Sequence, residues 1–117
     1  MQTIGLYIHT PFCIRKCPYC DFYSAPPRSE EEMDRYVQGI LTAMEGWARR
    51  YPCTADTLYF GGGTPSLLGG ERLASIVRRA DELLDLLNYN PEITLEANPA
   101  DDLADTLAAF AAAGGNR

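Results

Sequence analysis

The feature that most constrains this chain is a pattern that occurs three times. A short run of β-branched, aromatic and aliphatic residues is followed by a longer run with helical periodicity. The short runs are residues 5–9, 57–60 and 93–96. Strands that alternate with helices in this way form right-handed β-α-β units, in which the strands are parallel. We therefore predict an α/β fold with three parallel β/α units.

The first helix has clear start and stop signals. Ser29 and Glu32 have the spacing of a capping box, in which each side chain satisfies a free backbone N–H at the helix start. Pro52 cannot continue a helix and is expected to end it. The sequence therefore predicts a long helix between these positions.

Each predicted helix has one apolar face, as is typical of helices that pack on a sheet. Asp101 or Asp102 is expected to cap the third helix, and Gly114 and Gly115 to end it. The apolar positions are Met33, Tyr36, Val37, Ile40, Leu41, Met44, Trp47 and Ala48 in the first helix, Leu73, Ile76, Val77, Ala80, Leu83, Leu84 and Leu87 in the second, and Leu103, Leu107 and Phe110 in the third.

Composition and charge exclude several classes of protein. Apolar residues make up 46% of the 117 residues, which is ordinary for a globular protein. The net charge of −6 argues against a nucleic-acid partner, which would require a basic face. No apolar run approaches the roughly 18–20 residues of a membrane span, and the first residues lack the pattern of a secretion signal. We therefore expect a cytoplasmic protein.

Three cysteines are clustered and a fourth is distant. Cys13, Cys17 and Cys20 form a C-x-x-x-C-x-x-C motif, whereas a disulfide scaffold distributes its cysteines through a secreted chain. Three thiolates on one short loop can ligate three irons of a [4Fe–4S] cluster and leave the fourth open to a small molecule. Cys53 is expected to be a small, buried apolar residue.

The same cysteines also allow a different metal site. A structural zinc ion could be bound by the three thiolates with His9 as the fourth ligand. Such sites usually draw paired ligands from two separate segments, and no second pair exists here. The sequence favours the cluster and leaves zinc open.

Two further motifs directly follow predicted strands. Residues 61–63 are three glycines, which indicate a positive φ, a close approach of a ligand to the backbone, or a plain turn. They do not form a P-loop, because the only lysine in the chain is Lys16. Glu96 ends the third run and is either a surface charge or a ligand for an ammonium or hydroxyl group. Because the cysteines, the glycines and Glu96 all follow strands, we expect them at the carboxyl-terminal edge of the sheet, where α/β folds bind ligands.

The motifs resemble those of the radical S-adenosylmethionine (SAM) superfamily. The segments that carry the resemblance are residues 7–23, 61–65 and 96–99. Within that superfamily the chain is similar to the oxygen-independent coproporphyrinogen III oxidase family and its haem-chaperone relatives. The resemblance implies that the three units are the first half of a partial (β/α)6 TIM-like barrel. Residues 1–117 would then be an incomplete radical SAM core domain, whose third strand exposes an unpaired edge.

The resemblance also implies two cofactors and the residues that bind them. Cys13, Cys17 and Cys20 would ligate the [4Fe–4S] cluster, and SAM would chelate the open iron. One-electron reduction of the sulfonium would give methionine and a 5′-deoxyadenosyl radical that abstracts hydrogen. The residues implied to contact SAM are Tyr7, Tyr19, Gly62, Gly63, Thr64 and Glu96.

One departure from the oxidase pattern affects the function implied. The oxidases carry a further cysteine two residues after the last cluster ligand, and Phe22 stands there. The resemblance therefore implies a haem chaperone-like protein, with the oxidase as the alternative and a non-catalytic, zinc-stabilised binding domain as an alternative of another class. The partners implied for the full-length protein are a tetrapyrrole, either haem or a porphyrinogen, and an electron donor. Oxidoreductase-like radical chemistry would need the whole barrel, so the 117 residues alone are expected to be inactive.

Overall fold

The computed structural model describes residues 2–12, 29–97 and 103–117. Within them, three strands form one sheet in the order β1 (Gln2–Thr10), β2 (Cys53–Gly62) and β3 (Glu92–Leu95). Both pairings are parallel, which confirms the predicted β-α-β connections.

The first two strands are longer than the sequence predicts. β1 and β2 stay paired from Gln2 opposite Cys53 to Thr10 opposite Gly62, with one irregularity between Ile4 and Gly5. Most of the extra residues at the start are polar or small, such as Gln2 in β1 and Cys53, Ala55 and Asp56 in β2, so they carry little strand signature of their own. Backbone hydrogen bonding to the neighbouring strand extends both elements beyond their apolar centres.

Three helices follow the strands: α1 (Glu30–Arg50), α2 (Gly70–Leu84) and α3 (Ala104–Ala113). Two 3₁₀ turns, Pro65–Leu68 and Leu86–Tyr89, stand before and after α2. As predicted, Ser29 caps α1, because its Oγ accepts a hydrogen bond of 3.1 Å from the Glu32 N–H. Leu103 occupies the N-cap position of α3, and Asp101 and Asp102 lie outside the described residues.

The hydrophobic core lies between the helices and one face of the sheet. Alternate residues of β2 point into it, and Leu58 and Phe60 are fully buried. The helix positions predicted to be apolar and found buried are Met33, Val37, Met44, Leu73, Ile76, Val77, Ala80, Leu84 and Phe110.

Three predicted core residues are instead exposed: Trp47 (63%), Leu87 (42%) and Leu107 (44%). Leu87 lies beyond α2, because Asp85 adopts a left-handed conformation (φ 56°) that ends the helix. Trp47 lies at the flank of the α1 apolar face, where it packs against Tyr51 with 4.7 Å between ring centroids. Helical periodicity identified the face but not its width.

The outer edge of β3 is covered in part by residues from the end of the chain. The Leu95 N–H donates to the Arg117 carbonyl (3.0 Å), and the Arg117 N–H donates to the Ile93 carbonyl (3.1 Å). These bonds follow the pattern of a parallel strand pair. The expectation that the third strand exposes an unpaired edge is therefore wrong at this point.

Candidate functional site

The carboxyl-terminal ends of the three strands are held together by backbone hydrogen bonds. The Gly63 N–H donates to the Thr10 carbonyl (2.8 Å), and the Thr64 N–H donates to the Phe12 carbonyl (2.7 Å). These bonds join the residues that follow β1 to the residues that follow β2. The segment from which the cysteine motif continues is thereby fixed beside the glycine run.

The glycines are required because two parts of the chain pass very close together. Gly62 has a φ of 107°, and a Cβ there would lie 2.5 Å from the Thr10 carbonyl oxygen. A Cβ on Gly63 would collide with the carbonyl of Phe12. Of the explanations that the sequence allows for the glycines, a positive φ therefore applies at Gly62. The close approach that the structure shows is between two segments of this chain.

The glycine run offers acceptors rather than donors at this edge. The N–H groups of Gly63 and Thr64 are already bonded, and the Thr64 carbonyl accepts from the Leu67 N–H. Within the described part of the chain, no backbone hydrogen bond uses the Gly63 carbonyl. A carbonyl oxygen is an acceptor and suits a ligand that donates hydrogen bonds, such as an ammonium group.

An open cleft lies at the same edge. It has a volume of ≈ 390 Å³ and is lined by Gly63, Thr64, Glu96 and Ala97. Glu96 is the first residue after β3, and its N–H donates to the Phe60 carbonyl (3.1 Å). The structure thus brings Glu96 together with Gly63 and Thr64, as the alternation of strands and helices predicts.

Two tyrosines stand on the sheet face opposite the helices. Tyr7 and Tyr59 are register partners on β1 and β2, and their rings stack with centroids 5.7 Å apart and planes 17° apart. The Tyr59 hydroxyl donates to Oε2 of Glu96 (2.7 Å), and this hydrogen bond raises the pKa of Tyr59. The sequence motifs point to Tyr7 but not to Tyr59. The available signal was its position on β2, because successive side chains of a strand lie on opposite faces of the sheet.

A third tyrosine supports the end of β1. The Tyr36 hydroxyl donates to the carbonyl oxygen of His9, and its ring meets Phe12 edge-on with 5.5 Å between centroids. Burial raises the pKa of the Tyr36 phenol. Sequence periodicity predicted only that Tyr36 belongs to the apolar face of α1.

Four predicted site residues, Cys13, Cys17, Cys20 and Tyr19, lie outside the described residues. Among residues 2–12, 29–97 and 103–117, no group of three His, Cys, Asp or Glu side chains is arranged to bind a metal ion. His9, the zinc ligand considered above, is described, and its Nδ1 lies 3.5 Å from the Tyr7 hydroxyl.

Cys53 is remote from this edge. It is the first residue of β2, whereas Gly62 is the last, so the strand separates the two by roughly 30 Å at about 3.3 Å per residue. Cys53 is partly buried and lines an apolar cleft with Ile4, Met44 and Trp47. Its position therefore excludes it from a metal site at the carboxyl-terminal edge.

A parallel β/α sheet whose carboxyl-terminal edge carries a glycine run and a carboxylate beside a cleft is typical of a ligand-binding α/β protein. The sequence profile described as "Radical SAM superfamily" matches residues 7–117. The chain belongs to the radical SAM superfamily.

Two named proteins are similar to this chain over nearly its whole length. The chain is 40% identical over 118 residues to the heme chaperone HemW of Escherichia coli, covering 100% of this chain and 31% of that protein. It is 34% identical over 116 residues to the mitochondrial radical S-adenosyl methionine domain-containing protein 1 of Bos taurus, covering 99% of this chain and 26% of that protein. The chain therefore spans about a third or less of these relatives' length.

A solved structure shares the fold. The coproporphyrinogen III oxidase HemN of Escherichia coli, described as a radical SAM enzyme, superimposes with a TM-score of 0.86 at 26% identity. The match covers 99% of this chain and 26% of that chain. The three β/α units are therefore arranged as in a radical SAM protein. No helix in the described part of the chain is both long and apolar enough to cross a membrane.

Proposed function

We propose that this protein binds a [4Fe–4S] cluster and SAM at the carboxyl-terminal edge of its sheet and acts in haem or porphyrin metabolism. One observation carries the proposal. Gly63, Thr64 and Glu96 surround a single cleft, and Thr64 is hydrogen bonded to Phe12, the residue before Cys13.

The residues present fit SAM chemically. The amino acid part of SAM carries an ammonium group, which donates hydrogen bonds and is positively charged. The cleft is lined by Glu96 and Gly63, whose carboxylate and carbonyl are both acceptors, and no backbone N–H of the described residues donates to the Gly63 carbonyl. A cleft built around free N–H groups would instead select an anion.

The cysteine motif fits an iron–sulfur cluster. Cys13 follows Phe12 directly, and the fixed Phe12 carbonyl anchors the start of the loop at this edge. Three thiolates in Cys13, Cys17 and Cys20 are the ligand type that such clusters require. When bound, the cluster supplies the electron for reductive cleavage of SAM. We propose that Tyr7, Tyr19, Gly62, Gly63, Thr64 and Glu96 orient SAM and exclude water from it.

The relatives support a haem-related role. The E. coli relative is named a heme chaperone, and Phe22 stands where the oxidases carry a further cysteine. We therefore propose a haem chaperone-like function in the cytoplasm, with a tetrapyrrole and an electron donor as partners of the full-length protein. Residues 1–117 would form the first half of the radical SAM core domain. The alternative is oxidative decarboxylation of coproporphyrinogen III, which the name of the structural neighbour supports.

Anaerobic reconstitution with iron and sulfide tests cluster binding. We expect a broad visible absorption band in the wild-type protein, close to four irons per chain, and loss of both in Cys17→Ala. Cys53→Ala is the matched control, because Cys53 lies at the other end of β2 and should leave the cluster intact. A wild-type protein that acquires no absorption band, or a Cys17→Ala variant that keeps it, would overturn the proposal.

Elemental analysis of anaerobically purified protein distinguishes the cluster from zinc. The observation that favours zinc is the position of His9 near the end of β1, four residues before Cys13. One zinc per chain, lost in both His9→Ala and Cys17→Ala, would favour the binding domain without catalysis. Iron and sulfide in equal amounts, retained in His9→Ala, support the cluster.

A further inference from the structure

Tyr59 joins two residues that the proposed function assigns to SAM. Its ring stacks on Tyr7 of β1, and its hydroxyl donates to Oε2 of Glu96 after β3. It thereby connects all three strands across the exposed face of the sheet. Neither the motifs nor the apolar periodicity points to such a role.

The surroundings of Tyr59 are shaped to hold it in place. Gly61 lies two residues further along β2, and a Cβ there would lie 2.7 Å from the Tyr7 hydroxyl and 2.8 Å from Cε1 of Tyr59. Because glycine leaves that space open, both rings can lie flat over it. The Tyr59 hydroxyl then reaches the carboxylate at 2.7 Å, within the usual range for such a bond.

The hydrogen bond matters because Glu96 is exposed. Its backbone is fixed by the Phe60 carbonyl, but an exposed glutamate side chain otherwise samples several rotamers. Tyr59 engages one carboxylate oxygen, and the described residues contribute no hydrogen bond to the other, Oε1. Among the described residues, one oxygen is therefore held and the other is without a hydrogen bond, and Glu96 lines the cleft together with Gly63 and Thr64. Such preorganisation lowers the cost of binding a ligand.

We propose that Tyr59 is a positioning residue that holds the Glu96 carboxylate toward the SAM cleft. This inference rests on the proposed function, because it concerns the same ligand. Tyr59 acts through Glu96 and donates its hydroxyl proton in a hydrogen bond without transferring it. The Glu96 rotamer that binding requires is thereby set before the ligand binds.

SAM affinity of the anaerobically reconstituted protein, measured by calorimetry, tests the role. Tyr59→Phe keeps the ring stack and removes only the donor, so we expect binding about three- to tenfold weaker, as is typical for loss of one hydrogen bond. The iron content should stay close to the wild-type value, and the unfolding midpoint should fall only by the small contribution of one exposed hydrogen bond. Tyr51→Phe is the matched control, because Tyr51 is exposed at the end of α1 and packs on Trp47.

A double-mutant cycle shows whether Tyr59 acts through Glu96. Adding Tyr59→Phe to Glu96→Gln should weaken SAM binding by less than twofold, because the carboxylate to be positioned is already gone. Full additivity of the two effects would overturn the inference. Unchanged affinity in Tyr59→Phe, with a lowered unfolding midpoint, would show a purely structural role and also overturn it.

A titration that needs no cofactor tests the hydrogen bond itself. The bond to Glu96 raises the pKa of Tyr59 above its ordinary value, so this phenol should ionise late in an absorbance titration of tyrosinate. The difference between the titration curves of wild type and Tyr59→Phe isolates the ionisation of Tyr59. Glu96→Gln should return the pKa of Tyr59 toward the ordinary range. Since the raised pKa belongs to the folded state, the bond stabilises the fold below the ordinary pKa and this stabilisation is lost as the pH rises through the raised value.

The two proposals fail in different ways. A wild-type protein that holds no cluster and binds no SAM contradicts the proposed function, whatever Tyr59 does. A wild-type protein that binds both, with Tyr59→Phe equal to it in SAM affinity, contradicts only the positioning role. Gly61→Ala supplies a second variant, in which displacement of both rings should weaken SAM binding as well.

Discussion

At Gly63 the chain passes so close to the Phe12 carbonyl that only glycine can stand there. The contact is between two backbone segments, so no flexible side chain can move aside to make room. The same glycine donates its N–H to the Thr10 carbonyl (2.8 Å). The Gly63 backbone therefore couples the end of β1 to the end of β2 and shapes the cleft beside them.

Gly63→Ala should destabilise the fold by about 1–3 kcal/mol, because the added methyl group forces the two segments apart. Gly39→Ala is the matched control, since Gly39 is exposed within α1 and a Cβ there meets nothing within 4 Å. That variant should gain about 0.5–1 kcal/mol from the better helix propensity of alanine. Urea unfolding followed by circular dichroism measures both, and equal midpoints for the two variants would contradict the packing described.

Tyr36→Phe should cost about 0.5–1.5 kcal/mol, the usual value of one hydrogen bond to a backbone carbonyl. The lost bond is the one to His9, so the end of β1 should be affected most. Amide hydrogen exchange of the residues around Phe12 reports this directly. In the control Tyr51→Phe, neither the unfolding midpoint nor this local exchange should change, and local exchange that is unchanged in Tyr36→Phe would count against the support we describe.

At the scale of elements, charged groups fix how α1 and α2 lie against each other. Arg72 of α2 forms ion pairs with Glu30 and Asp34 in the first turns of α1, and donates to the Leu68 carbonyl (2.9 Å). Its side chain is only 18% exposed, so these bonds are partly shielded from water. The start of α1 is thereby attached to α2 beside the segment that leads out of the glycine run.

Arg72→Leu should destabilise the protein by about 1–3 kcal/mol, because it removes the donor to two carboxylates and to the backbone carbonyls of Glu30 and Leu68. Arg49→Leu is the control, since the Arg49 side chain is 81% exposed and its nearest carboxylate atom, on Glu45, is 3.7 Å away. We expect the control to change stability by less than about 0.5 kcal/mol. Chemical unfolding of the wild type and both variants measures the loss of stability. Similar losses in the two variants would show that shielding from water is unimportant.

For the whole molecule, the two faces of the sheet have different roles. One face is covered by the helices and forms the core, whereas the other carries the exposed Tyr7 and Tyr59. In a β/α barrel the face not covered by helices lines the interior, and ligands bind at its carboxyl-terminal end, where the proposed ligands would lie. Binding at the carboxyl-terminal edge should therefore couple to the stability of the entire domain.

Cluster loading should raise the urea midpoint of unfolding, because a ligand that binds only the folded state stabilises it. The comparison is between the anaerobically reconstituted protein and the metal-free protein. Cys17→Ala should show the same midpoint before and after reconstitution, while Cys53→Ala should show the full increase. Identical midpoints for the loaded and metal-free wild type would contradict the coupling.

The sequence predicted the elements well where local chemistry determines them. The order of strands and helices, the cap at Ser29 and the end of α3 at Gly114 all follow from residue types and spacing. It also predicted that Glu96 and the glycine run share one edge, because parallel strands point the same way. It misplaced Trp47 and Leu87, since the width of a helix face and the stop at Asp85 depend on packing and on one backbone angle.

The sequence by itself determined the fold class, the superfamily motifs and the types of group available at the edge. The tertiary structure alone decided which of those groups meet. That the Gly63 and Thr64 amides are already bonded, and that Tyr59 engages one oxygen of Glu96, depends on contacts between residues far apart in the chain. Periodicity and spacing describe one segment at a time, whereas these contacts exist only once separate strands are paired in register.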